Sequence, residues 1–426
     1  MSTLKCTNSE TRPVGKMWIP VSIICSSILF PTLRVAGFPG FRLEQIIVIL
    51  MITLLFLRSA LGNRNATANR NFVAAYTGFS IFIILSISVG SFLGVNVIAN
   101  DFFELYKIFI YLGAFILTSD AARTDEKRLI ILRFVHFFLL LSCLVAFQQY
   151  FNLFGLNEKY VHIIAPTQYR TLVNNYANPR VVGMTSNPNE YAIMPGVGAL
   201  ISLCLYILTK QKKYIFSIGM FFFTLLLTMS RTGLVFMILA ISALSFFRFV
   251  EIGQKNKRVD LLKFVIILVS IVLLGIMLLN WLPDSYTWRI KDGLNLTANT
   301  SFQARIRNWQ EHIEYYKKSP IFGLGPSKSV AFSHSADNEW LLLLRQYGIV
   351  GVIYFVFVFS APFIRSKRSV YKKLYFSLIL AAAIYMIPAG IYHSFQLMPL
   401  FMVLAGLVPF NSQSQLQAEN CINSGG

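Results

Sequence analysis

Charge is scarce in this chain of 426 residues: 13% are Asp, Glu, Lys or Arg and 55% are apolar, a composition that would precipitate as a water-soluble protein. Acidic residues are scarcer still, with 18 Asp and Glu against 38 Lys and Arg. No soluble domain and no low-complexity linker interrupts the apolar sequence, so 1–426 reads as a single integral membrane domain. Of the five cysteines, Cys25, Cys143 and Cys204 lie in apolar runs and Cys6 and Cys421 near the ends, which excludes a disulfide framework. No A-x-A-like site follows the polar start up to Lys16, so the first apolar run is expected to stay in place. There is no D-x-D, and no cluster has metal-ligand spacing; the expected chemistry uses neither metal nor cofactor.

What is present is a succession of apolar runs, each able to cross about 30 Å of hydrocarbon. They fall near Met17–Val35, Leu43–Leu61, Phe72–Val95, Phe102–Thr118, Leu129–Asn152, Tyr191–Thr209, Tyr214–Thr228, Gly233–Phe249, Leu261–Trp281, Asn338–Ile364, Leu374–Pro388 and Phe395–Pro409. The expectation is an all-α polytopic membrane protein with about twelve transmembrane helices. Lys and Arg gather in alternate connections, around Arg123, Lys210, Lys255 and Lys367, which predicts that both termini are cytoplasmic. The loops Leu153–Glu190 and Leu282–Asp337 then face the periplasm, and the polar stretch 411–426 is a disordered cytoplasmic tail. This topological signal accounts for most of the positive charge, and no nucleic acid is implied.

The loop Leu282–Asp337 is too long for a plain connector. Phe302, Ile306, Trp309, Ile313 and Tyr316 repeat with the spacing of one helix face, an amphipathic helix whose stripe is bordered by Arg305 and His312. Arg307 lies on the same helix. Ser319-Pro320 stops it, and Gly323, Gly325 and Pro326 turn the chain back. Gly-Leu-Gly at 323 lacks the flanking strand and helix of a nucleotide loop. Asp337, Leu341 and Arg345 share a side of the next span, and Arg345 lies deep enough that it must face the bundle interior. His334, Asp337 and Glu339 cluster where the chain re-enters the membrane. Asp337 is either a helix-start acid or a base for an incoming hydroxyl. Arg231, between two apolar runs, is either a snorkelling side chain or a phosphate-binding fork. Arg170 and Arg180 lie in the other long loop, Glu190 reads as a first-turn acid, and His393 as interfacial.

Ser230-Arg-Thr-Gly, Arg305 with Trp309, S-P-I-F-G-L-G from Ser319 and D-N-E-W-L-L-L-L-R-Q-Y-G-I-V-G from Asp337 resemble, in this order, the O-antigen ligase and polymerase superfamily of the Wzy and WaaL type. N-P-N-E-Y-A at Asn187 is a looser match. The resemblance implies a GT-C-type glycosyltransferase of the bacterial inner membrane, acting on undecaprenyl-diphosphate-linked oligosaccharide donor and acceptor at the periplasmic face. It implies a membrane-lipid environment and allows a chain-length regulator as partner. Arg231 and Arg305 match the arginines that hold the diphosphate, and Asp337 or His334 takes the base role. Asp337-Asn338 stands where ligases show His-Asn, which favours an O-antigen or capsular polymerase. The alternatives are a ligase transferring glycan to lipid A core and, in another class, a lipid-linked oligosaccharide flippase.

Overall fold

The computed structural model describes residues 17–33, 41–60, 70–174, 179–252, 300–333, 336–364 and 366–410. The predicted span Leu261–Trp281, residues 282–299 of the long loop, the basic connection around Lys255, His334 and the tail 411–426 lie outside the described residues. Among the described residues the fold is helical, with two isolated bridges, Leu33 with Phe41 and Ser366 with Phe410.

The helices are α1 (Trp18–Leu29), α2 (Leu43–Ala60), α3 (Arg70–Phe92), α4 (Phe103–Ala121), α5 (Asp125–Phe151), α6 (Leu156–Ile164), α7 (Tyr169–Val173), α8 (Pro188–Thr209), α9 (Lys213–Leu227), α10 (Arg231–Ile252), α11 (Thr300–Tyr316), α12 (Glu339–Ser360), α13 (Val370–Tyr385) and α14 (Leu397–Gly406). Every predicted apolar run within the described residues contains a helix. Among the described residues, six stretches are long and apolar enough to cross a membrane: Asn71–Phe92, Ala99–Ala121, Asp125–Phe151, Pro188–Thr209, Arg231–Arg248 and Glu339–Phe363. Shorter apolar helices, such as Lys213–Leu227 and Leu397–Gly406, pack among them.

Local chemistry sets the helix starts. Thr124 caps α5 by accepting from the Lys127 amide, ahead of Asp125 and Glu126. Asn187 caps α8, whose first position is Pro188, a residue suited to a place where no N–H is needed. Ser369 caps α13. Helix α8 is the most enclosed span, and α5, α9, α10 and α13 surround it. Large apolar side chains such as Phe216 (73% exposed) and Ile81 (68%) point outward, as they do when lipid is the solvent.

Alternation of the helices places residues 30–33, 41–42, 93–102, 152–174, 179–187, 228–230, 317–333, 336–338 and 386–396 at one end of the bundle. Arg123, Lys127, Lys210, Lys212, Lys367 and Lys373 fall at the other end.

Candidate functional site

The polar groups of the first end converge on the segment 386–396, between α13 and α14. Glu339, in the first turn of α12 and 1% exposed, accepts from the Ile391 amide at 2.7 Å and is hydrogen-bonded to His393 Nδ1. His393 Nε2 lies 3.2 Å from Gln346 Oε1 and 3.9 Å from Glu104 Oε2. Glu104, fully buried on α4, is paired with Lys107 at 2.8 Å, and Lys328 Nζ approaches it at 3.6 Å. The Lys328 amide donates to Asp101 at 2.8 Å. Burial holds the Lys328 ammonium below the ordinary lysine range, Lys107 and Arg345 push the same way, and Glu104 opposes them; the side chain stays 39% exposed, which keeps the effect modest. His393, half-buried, is thus the centre of this network, a role that the sequence reading did not give it.

The next residue, Ser394, donates to Glu190 at the start of α8. Beside it, the Tyr385 hydroxyl donates to the Asn189 carbonyl at 2.7 Å, and the charges of Glu190, Arg305 and Arg180 all act on that hydroxyl. Arg180 donates from Nε to the Thr228 carbonyl at 3.0 Å and from its terminal nitrogen to Asn189 Oδ1 at 2.9 Å. Thr228 belongs to the same tight turn as Arg231. In that turn Met229 takes φ +50° and Ser230 Oγ accepts from the Gly233 amide at 3.2 Å, so Arg231 becomes the first residue of α10. The structure therefore brings Arg180 and the turn bearing Arg231 to the Asn189–Glu190 corner, with Arg305 within electrostatic reach of Tyr385. The loop carrying Arg180 is fastened by Gln149, whose side chain donates to the Gly183 carbonyl at 2.7 Å and accepts from the Val182 and Gly183 amides at 3.0 and 2.8 Å. Arg170 is exposed on α7, whose Leu172 packs with Val161 in a separate small cluster.

Helix α11 forms as predicted, but its buried side is turned. Ile313 is 38% exposed, whereas His312 is 2% exposed. The cause is Arg345, which donates to His312 Nδ1 at 3.1 Å while its guanidinium lies 4.1 Å from the centre of the Phe332 ring. The His312 ring stacks on the same Phe332 at 4.6 Å. Arg345, 5% exposed, faces the bundle interior as its depth required. Arg305 and Trp309 are half-buried and Arg307 is exposed. Glu311 accepts from the Ser333 amide at 3.1 Å, fixing the loop beside α11.

The Ser319–Gly325 motif has a structural task. Helix α12 is interrupted at Gly348, which takes φ +65° and ψ −176°. The returning loop supplies the lost hydrogen bonds: Leu324 and Gly325 donate to the Arg345 and Gln346 carbonyls at 3.1 and 2.9 Å, and the Ile349 and Val350 amides donate to Pro320 and Ile321 at 2.9 and 3.2 Å. A side chain at Gly348 would meet the Ile321 carbonyl oxygen at 2.1 Å, and one at Gly323 would meet the Gln346 carbonyl oxygen at 2.3 Å. Asp337 is not the cap of α12: Asn338 is, accepting from the Leu341 amide at 3.0 Å. Asp337 precedes the helix, exposed, with φ +44°.

Residues 216–356, from α9 into α12, match the family model Wzy_C, described as O-antigen ligase. The match, which covers about a third of the chain, supports a place in the O-antigen ligase/polymerase superfamily. No curated protein matches it. The superfamily stretch contains Arg231, Arg305, Asp337, Glu339 and Arg345, whereas Arg180, Glu190, Glu104 and His393 reach the same end of the bundle from outside it. Arg180 was singled out in the sequence, whereas Glu104 was missed and Glu190 and His393 were given no part in the site, because each stands alone in its own segment. The one available signal was Glu104 with Lys107, an ion pair spaced i, i+3 inside an apolar run.

Proposed function

We propose that the protein is a metal-independent, GT-C-type polysaccharide polymerase of the bacterial inner membrane, acting at the periplasmic face. It transfers an undecaprenyl-diphosphate-linked O-antigen or capsular glycan onto the non-reducing end of another lipid-linked repeat unit. The observation that carries this reading is the meeting of Arg180 and the Arg231 turn at the Asn189–Glu190 corner. In the reaction the acceptor hydroxyl attacks the anomeric carbon, the bond from that carbon to the diphosphate oxygen breaks, and the diphosphate leaves with the bonding pair. Arginines suit that departing charge because their forked donors match phosphate oxygens in a site with little water. Asp337, exposed at the start of α12, is assigned the hydroxyl proton, with His334 as the competing base.

Replacing Arg305 or Arg231 with Ala is expected to abolish long-chain polysaccharide in a deletion strain while the protein persists in the membrane. Normal ladders from both variants would remove these residues from the site. The family description favours a second reading, a ligase that transfers finished glycan to lipid A core. Deletion separates the two: a missing polymerase leaves core bearing a single repeat, and a missing ligase leaves bare core with lipid-linked polymer.

A further inference from the structure

We propose that a groove between α5 and α9, at the Lys- and Arg-rich end of the bundle, binds the phosphate headgroup of an anionic membrane phospholipid through Arg133 and Lys213. The groove has a cavity volume of about 540 Å³ and opens on the side of the bundle. Arg133, Gln211 and Lys213 supply polar lining, Leu140, Phe216 and Met220 apolar lining, and among the described residues no carboxylate lines it. His136, also at the groove, is committed to Ser202 Oγ at 3.0 Å.

Arg133 makes the position informative. It lies two turns into α5, about 12 Å along the helix from Asp125, on a face where Phe134 and Phe137 are 40% and 51% exposed. An unneutralised guanidinium on a lipid-facing surface is unfavourable. Among the described residues, two acids at this end are engaged elsewhere, Asp125 with Arg128 at 2.6 Å and Asp120 with Arg123. Among the described residues neither Arg133 nor Lys213 has a salt bridge. A phosphodiester at the groove mouth would accept from the Arg133 fork and meet the Lys213 ammonium, which starts α9 across the groove. Its acyl chains would then run along Leu140, Phe216 and Met220. A basic pocket between helices at the positive end of a membrane protein is the kind of site that holds anionic headgroups. This inference is independent of the polymerase reading.

The test is native mass spectrometry of the purified full-length protein with phosphatidylglycerol, cardiolipin or phosphatidylcholine. Wild type should retain the two anionic lipids in preference to phosphatidylcholine. Lys213→Gln should weaken retention about fivefold and Arg133→Ala at least as much, with Arg133→Lys recovering most of it. Equal retention of phosphatidylcholine, or unchanged retention by Arg133→Ala and Lys213→Gln, would overturn the proposal. Displacement of the lipid by millimolar inorganic phosphate would reduce the groove to a free-phosphate site and overturn it as well. The lipid comparison in wild type needs no variant, so poor folding of a variant does not remove the test.

Discussion

His393 and Glu339 are hydrogen-bonded across the first end of the bundle, joining the segment before α14 to the first turn of α12. The same carboxylate holds the Ile391 amide, and the residue after His393 holds Glu190. One side chain therefore sets the distance between the α12 start and the arginine corner.

Removing that carboxylate should loosen both. Glu339→Ala leaves the Ile391 amide without its acceptor and His393 without its main partner, a change of the kind that costs about 3 kcal/mol in a buried setting. Thermal unfolding in detergent should show a clear fall in midpoint, and polymer formation should fall with it. An unchanged midpoint would contradict the network.

The interruption of α12 yields a contrast among glycines. Gly348→Ala and Gly323→Ala each force a side chain onto a backbone oxygen at a positive φ, so each should cost about 3 kcal/mol or more and reduce the folded yield. Gly155→Ala shares the positive φ but meets nothing within 4 Å, and should cost only about 1 kcal/mol. Equal yields for the three variants would show that the loop does not press against α12.

Arg345→Lys keeps the charge and discards the geometry. A single ammonium cannot both lie flat on Phe332 and donate to His312 as the guanidinium does, so activity should drop about tenfold or more although net charge is unchanged. Activity of purified protein in liposomes reads this directly, and a fully active Lys variant would refute the need for the stack.

Gln149→Leu should impair the reaction without touching any proposed substrate contact. It removes three hydrogen bonds that position the loop behind Arg180 and leaves buried amides unmatched, at about 2 kcal/mol. Limited proteolysis should cut that loop faster in the variant, while resistance equal to wild type would argue against the staple.

Much of the helical framework was legible because apolar runs of membrane length are a local signal. Helix α11 was legible from its spacing, and the burial of Arg345 from its depth. The orientation of α11 was not, since it depends on the Arg345–His312 bond, and no periodicity reports a partner on another element. Asp337 drew the capping reading that belongs to Asn338 because acids and amides cap equally well and only the backbone angle separates them. His393 was passed over because Glu339 and Glu104 reach it only through the fold.

The break at Gly348 also separates the helical phase of the two halves of α12. The azimuth of Glu339 and Arg345 is fixed by the Pro320–Gly325 loop docked at the break, which also holds Ile349 and Val350, whereas Gly351–Ser360 answers to its neighbours and the lipid. A substitution that rotates the lower half, such as exchanging it for another apolar helix, leaves Arg345 aimed at His312. In this span the polar half can be held constant while the membrane half drifts in sequence.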